Sequence, residues 1–327
     1  MALNKVTTFG KPALSTLLQD NLVTFFDWEF LNAGGFTNIE IPTSGWYGAD
    51  KHQLRLVDDP RYDSGQVWEG FRKNWVWESG LSAPERPNTT TTPANPGISG
   101  VYVGGAFKPI TSSDSYAHHI DYKNGRVVFD SAIDTSSTVT AEYSYRYVDV
   151  MPANSRFFRE IQYRTQRADE DFQMVGSGDY STLGENRVQL PAVGIEIAGS
   201  RTFTPYELGS SKHELGLDVI FHILAEEDYE RDQLIDMISF QEENVITLFD
   251  TNAIGENNAF PMDYRGMVNS YAKTYPALVR PSGVGGFAYQ GVDGGKARFT
   301  NTRVANSDPL STNLYHGTVR VTMEVIN

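Results

Sequence analysis

The fold is decided between Pro191 and Asp250, where the chain reads PAVGIEIAGS (191–200), RTFTPYELGS (201–210), SKHELGLDVIFHILA (211–225), EEDYERDQLIDMIS (226–239) and FQEENVITLFD (240–250). Apolar residues alternate with polar or small ones over 193–197 and again over 215–223. A period of two is typical of β-strands that bury one face. The stretch therefore predicts a strand followed by a longer strand.

An acidic helix is predicted directly after the second strand. Asp228 suits the N-cap position, and Glu230 lies where a negative charge stabilises the first turn. Leu234, Ile235 and Ile238 provide the apolar face of this helix. A helix of this kind covers one face of the sheet that the neighbouring strands form.

Two further strands complete the frame. A short one is predicted over 245–249, and the alternation of Val319, Val321, Met323 and Val325 predicts the last strand over 317–326. These elements indicate an α+β fold with a mixed or antiparallel sheet flanked by helices. We assign residues 151–327 to this core and predict that 251–316, which is rich in Gly, Asn and Pro, is a long loop.

The N-terminal part, residues 1–42, is predicted to add a helix and a strand to the core. Apolar residues follow helical spacing over 13–31, with Pro12 suited to the first turn, and Gly34 and Gly35 are typical stop signals. A short strand is expected around Ile39 and Ile41.

Residues 43–150 are interpreted as an inserted module of Trp-rich loops and β-hairpins. Asn124-Gly125 predicts a hairpin with a type I′ turn, because this dipeptide readily takes positive φ. The alternation over 139–147 predicts a strand with one face buried. The segment 84–97 is predicted to be a loop or linker.

Four of the five tryptophans lie in this module: Trp46, Trp68, Trp75 and Trp77. They have two explanations. They fill a small irregular core, or they are anchors that dock a neighbouring subunit, where Trp contributes much of the binding energy. The second explanation makes them interface candidates.

A basic cluster provides a second set of interface candidates, Arg156, Arg159 and Arg164, together with Arg167. Its two interpretations are a solvated surface and a strip that docks an acidic neighbour. The chain itself offers such a neighbour, since thirteen acids lie between Pro205 and Asn257 against Lys212 and Arg231. Self-association is therefore possible.

Composition limits the function. The 327 residues carry a formal net charge of −14, which disfavours a protein that grips nucleic acid. There are no cysteines, and hence no disulfides and no thiolate chemistry. The sequence has no run of 18 apolar residues and no signal pattern at its start, so we expect no membrane partner and synthesis in a cytoplasm.

We find no catalytic, cofactor-binding or metal-binding motif. No phosphate-binding glycine loop, no His-Glu-x-x-His and no Gly-x-Ser-x-Gly sequence is present. His222 lies in the predicted long strand, where a hydrogen-bonded, half-buried histidine is favoured over a metal ligand or catalytic base. The protein is therefore not expected to be an enzyme.

The order helix, strand, long strand, acidic helix, strand, strand resembles the tail terminator proteins of tailed bacteriophages. The residues that carry the resemblance are LPAVGIE (190–196), TPYELG (204–209), the strand 215–225 and RDQLID (231–236). The resemblance does not cover 43–150.

The resemblance implies a virion structural protein that forms a ring, generally a hexamer. Such a ring terminates the tail tube and joins the tail to the head. Its partners are tail tube or sheath proteins and neck proteins, and DNA passes through its lumen without specific binding. The location is the neck or tail of the virion, after assembly in the host cytoplasm. Alternatives are another virion component, such as a collar, baseplate or fibre-attachment protein, and a carbohydrate-binding module.

Overall fold

A computed structural model describes residues 14–41, 49–88, 97–155, 158–159, 174–175, 188–205, 213–289, 295–306 and 314–326. The described part is mixed α+β, with four helices and mostly sheet, which confirms the fold class at that level. The helices are α1 Leu14–Asn32, α2 Asp228–Ser239, α3 Thr251–Glu256 and α4 Tyr275–Leu278.

Seventeen strands are present in the described ranges. In chain order they are β1 Phe36–Ile39, β2 Arg55–Leu56, β3 Val67–Glu69, β4 Gly100–Val103, β5 Ala106–Pro109, β6 His118–Asp121, β7 Arg126–Phe129, β8 Val139–Thr140, β9 Tyr143–Arg146, β10 Asp149–Pro152, β11 Met174–Val175, β12 Val188–Gln189, β13 Ala192–Pro205, β14 His213–Ala225, β15 Val245–Thr247, β16 Lys296–Asn306 and β17 Tyr315–Ile326.

The central feature is a six-stranded sheet in the order β10-β13-β14-β17-β16-β15, curled into a half-barrel. Strands β10 and β13 are parallel, and every other neighbouring pair is antiparallel. Helices α1 and α2 pack on the same face of this sheet and share one core with it. The predicted helices and the predicted strands 193–197, 215–225, 245–249 and 317–326 are therefore all present, although β13 is longer than expected and β15 is shorter, ending at Thr247.

Buried and partly exposed side chains alternate along β14 and distinguish the two faces of the sheet. Leu215, Val219 and Phe221 are buried against the helices. On the opposite face, Asp218 and His222 are partly exposed. His222 Nε2 lies 2.9 Å from a carboxylate oxygen of Glu196, which agrees with the predicted half-buried, hydrogen-bonded histidine.

A second core lies mainly in the region predicted to hold the inserted module, 43–150, and also includes Ile39 and Ala272. The prediction that the N-terminal strand belongs to the main core is wrong, because β1 pairs with β9 of the module. Around it are a four-stranded sheet, β2-β3-β7-β6, a three-stranded sheet, β5-β4-β8, and the pair β1-β9. Residues from the segment 262–272 also pack against this core, so the chain after β15 returns to contact the module.

The predicted hairpin is present, but the predicted type I′ turn is wrong. Asp121 pairs with Arg126, which leaves a four-residue loop, and Gly125 but not Asn124 has positive φ. The Asp121 carboxylate accepts hydrogen bonds from the backbone and side-chain amides of Asn124. This side-chain bond favours a longer loop over the two-residue type I′ turn.

The strand predicted over 139–147 is interrupted after Thr140, and β9 buries both faces rather than one. Tyr143 and Tyr145 enter the second core, while Ser144 and Arg146 face other buried groups. Helix α2 begins one residue earlier than expected, with Glu227 rather than Asp228 at the N-cap.

The expectation of a long loop over 251–316 is wrong. The segment contains α3, α4 and β16, an eleven-residue strand inside the sheet. Strand β16 reads KARFTNTRVAN, in which Ala297 and Phe299 are buried while Asn301 and the residues 303–305 are exposed. The segment is a strand because it pairs with β17, although its own sequence lacks the alternation that would predict a strand.

Candidate functional site

The described tryptophans of the module are buried within their own chain. Trp68, Trp75 and Trp77 are 3%, 1% and 5% exposed and lie in the second core. Trp75 stacks on Tyr143 with ring centroids 4.3 Å apart. An indole covered by its own chain cannot anchor a neighbour, so these three are corrected from interface candidates to core residues. Trp46 lies outside the described residues.

Of the basic cluster, Arg159 is described, and Arg156 and Arg164 lie outside the described residues. Arg159 is exposed and lines a recess of about 350 Å³ together with Ser15, Gln19, Asn154 and Glu196. This recess lies beside β13, where Gln19 donates a hydrogen bond to the carbonyl of Ile195. The structure therefore places one of the three candidates at the edge of the six-stranded sheet.

The strongest candidate for an assembly site is the pair of sheet edges. In the described ranges, β10 pairs with β13 only as far as Ile195, and β15 pairs with β16 only over 296–298. Beyond those points, no other described strand pairs with the second side of 197–205 in β13 or of 300–306 in β16, and we call these two stretches the open edges. Unpaired strand edges present free N–H and C=O groups that can pair with another chain.

Each open edge carries an exposed apolar side chain. Phe203 on β13 is 63% exposed, and Val304 on β16 is 49% exposed. Phe203 lies opposite Leu215, and Val304 lies opposite Val319, so both side chains lie on the helix-bearing face. The apolar face of the sheet therefore continues to both edges. Sequence periodicity did not find these residues, because 201–205 and 301–306 lack sustained alternation.

A buried ion cluster joins the core to the module. Arg146 of β9 donates to the Asp27 carboxylate of α1 at 2.8 and 3.1 Å, to the carbonyl of Trp75 at 3.0 Å, and to Glu78. The side chain of Glu78 is only 6% exposed. One guanidinium thus bridges an α1 residue of the core and two residues of the module.

The cluster borders a cleft of about 640 Å³ between α1, the module and the segment 249–278. Asp27 and Glu78 lie close enough to share one Arg146 nitrogen, and closely spaced carboxylates are the usual pair in glycoside hydrolysis. Here the guanidinium occupies the space between them, where the scissile bond would have to lie. This arrangement supports a structural clamp.

Burial dominates the acid–base properties of the cluster. It raises the pKa of Glu78 to about 7, with Asp27 adding to the rise and Arg146 opposing it. Burial likewise raises the pKa of Asp149 to about 6, against a hydrogen bond from Asn74. Both carboxyl groups therefore bind protons more tightly in the folded protein than in the unfolded chain.

Stability should depend on pH in a defined direction. Because the ordinary values are 4.5 for Glu78 and 3.8 for Asp149, the folded state holds more protons between about pH 4 and 7. The free energy of unfolding should therefore fall as the pH rises through this window. Glu78→Gln should remove a part of that fall, on the order of 2 kcal/mol.

Urea unfolding between pH 4.5 and pH 8 would measure this effect, with Glu227→Gln, a change at an exposed acid, as the control. The control should keep the wild-type slope. An unchanged slope in Glu78→Gln would show that Glu78 does not titrate between the folded and unfolded states in this range.

The acidic surface lies mainly on and around α2. Eight of the thirteen acids counted in the sequence lie within 226–243, on the side of the sheet that carries the helices. Glu214 and Asp218 lie instead on the opposite, polar face, where Asp218 pairs with Arg320. The acids are thus divided between two surfaces.

No protein-family model matches this chain, and no curated protein matches its sequence significantly. Within the described ranges, no helix has the length and apolar character needed to span a bilayer. The same part of the chain contains no group of three or more His, Asp or Glu side chains placed to hold a metal ion.

Proposed function

We propose that this protein is a virion structural protein that forms a ring, generally hexameric, at the neck or top of a phage tail. The ring terminates the tail tube and joins the tail to the head. Its partners are copies of itself, tail tube or sheath proteins and neck proteins. The order of elements that resembles tail terminator proteins supports this proposal, since each of those elements is present in the fold.

The observation that carries the proposal is the pair of different open edges on the six-stranded sheet. A ring needs a heterologous interface, in which one surface of a copy meets a different surface of the next. The edge of β13 and the edge of β16 lie on opposite sides of one sheet and differ in sequence. A curled sheet with two such edges suits repetition around an axis.

Charge supports the passage of DNA. A formal charge of −14 per chain repels the phosphate backbone, so a duplex can move through the lumen without adhering. A ring of six copies multiplies this field.

Light scattering coupled to size exclusion tests the ring directly, and immunogold labelling of intact particles tests its position. We expect a hexamer, and label at the junction of head and tail. A protein that stays monomeric at every concentration and never labels particles would contradict the proposal. A stable monomer whose melting temperature rises with added oligosaccharide would favour the carbohydrate-binding alternative.

A further inference from the structure

We infer that the open edge of β16 in one copy pairs antiparallel with the open edge of β13 in the next copy, with Val304 opposite Phe203. The occupant of each edge is therefore a second copy of this chain. This inference rests on the proposed ring, and it specifies which strands meet and in which register.

The direction of pairing follows from the sheet itself. Strands β13, β14, β17 and β16 alternate in direction across the sheet. When copies are related by rotation about the axis of a closed sheet, to which the strands are inclined by well under 90°, β13 of the next copy keeps the direction of β13 in the first relative to that axis. Strand β16 runs opposite to that direction, so the two meet antiparallel and the alternation continues across the boundary.

The faces restrict the register. Successive residues of a strand point to opposite faces, so a slip of one residue exchanges the buried and polar sets. Phe203 and Val304 both lie on the helix-bearing face, and they are the exposed apolar side chains of the two open stretches. Placing them opposite each other buries both.

This register also separates like charges. With Val304 opposite Phe203, Arg303 lies opposite Thr204, Ala305 opposite Thr202 and Asn306 opposite Arg201. A register shifted by three residues would set Arg303 against Arg201, and like charges directly opposite each other destabilise a sheet. Both arginines are exposed in the single chain.

The stagger of this pairing agrees with the geometry of closed sheets. Within one copy, Val304 lies level with Val319 and Phe221, whereas Phe203 lies level with Leu215. The offset from Leu215 to Phe221 is six residues of β14, or about 20 Å.

Four strand spacings separate β13 of one copy from β13 of the next, which is about 19 Å. The offset along the strands is thus nearly equal to the distance across the four strand spacings. This ratio corresponds to strands that are tilted by about 45° from the axis of the ring. Closed sheets usually have tilts of about 35–45°. The two open stretches therefore lie at the heights that a tilted, continuous sheet requires.

Cysteine pairs test the register, because the chain contains no cysteine of its own. Thr202→Cys with Ala305→Cys places one thiol on each edge, opposite each other in the inferred pairing, while Phe203 and Val304 stay intact. The matched control is Arg201→Cys with Ala305→Cys, in which the two thiols point to opposite faces while Phe203 and Val304 again stay intact. The purified full chain is oxidised, and the products are separated on a non-reducing gel.

We expect a ladder from dimer to hexamer for the first pair and at least a fivefold lower yield for the control. A hexamer by light scattering that gives no ladder, or equal ladders for both pairs, overturns this register and leaves the proposed ring intact. A chain that is monomeric by light scattering and gives no ladder overturns both.

A second variant checks the apolar contact without relying on oxidation. Phe203→Asp changes a side chain that is already exposed, so the protomer should keep its circular dichroism spectrum. The ring should dissociate to monomers. Tyr264→Asp, at a side chain 94% exposed in the segment 257–273, should leave the ring unchanged. A Phe203→Asp protein that remains hexameric would contradict the contact between Phe203 and Val304.

Discussion

Replacing Arg146 with methionine is expected to lower the free energy of unfolding by about 3–5 kcal/mol near neutral pH. The guanidinium is 9% exposed and binds Asp27, Glu78 and the carbonyl of Trp75. Its removal leaves two carboxylates close together without their shared partner, in a place where water reaches them poorly. Unfolding in urea, followed by tryptophan fluorescence, would measure the loss.

The loss at Arg146 should shrink at lower pH. Burial raises the pKa of Glu78 to about 7, so near pH 5 this carboxyl is neutral and the missing cation matters less. Arg61→Met is a suitable control, because its ion pair with Asp59 involves an arginine side chain that is 70% exposed. Exposed pairs contribute about 1 kcal/mol or less. Equal losses for the two variants would mean that Arg146 does not clamp the module to the core.

Phe221→Asp is expected to abolish folding. Phe221 is fully buried in the middle of β14, and its ring contacts that of Phe26 on α1 with centroids 4.9 Å apart. A carboxylate at this position would have no partner in a purely apolar layer. The cost of several kcal/mol is comparable with the total stability of a domain, about 5–15 kcal/mol. Far-UV circular dichroism and size exclusion should show an unfolded or aggregated chain.

The adjacent residue provides the matched control. His222 points to the other face of the same strand, is partly exposed and hydrogen-bonds to Glu196. His222→Ala should cost about 1 kcal/mol and leave the fold and the ring unchanged. A folded Phe221→Asp protein would contradict the assignment of this face to the core, and loss of the ring in a folded His222→Ala protein would assign His222 a role in assembly.

The frame of the fold could be predicted because its strands and helices carry strong periodicity. Alternation over 215–223 predicted β14, and the spacing of Leu17, Leu18 and Leu22 contributed to the prediction of α1. These patterns are local, because an element that buries one face needs apolar residues at regular spacing along its own sequence. Strand β16 was missed for the opposite reason, since its second half is exposed and lacks an apolar stripe.

The candidate site was less predictable. Tryptophan in a loop-rich segment is equally compatible with a core and with an interface, and only the packing of Trp68, Trp75 and Trp77 against the module decided between them. Arg146 lies among tyrosines in the sequence, and nothing nearby identifies its partners. Asp27 and Glu78 are 119 and 68 residues away along the chain.

The sequence by itself determined the α+β class, the helices α1 and α2, the two long strands β14 and β17, the acidic surface and the absence of cysteine chemistry. Each of these depends on residue type or on spacing within a few turns of chain. Tertiary structure alone decided which sheet edges have no partner among the described strands, where Phe203 and Val304 lie, and that one guanidinium joins the core to the module. Those features depend on contacts between residues far apart in sequence, and a linear pattern of polar and apolar residues does not encode which distant groups meet.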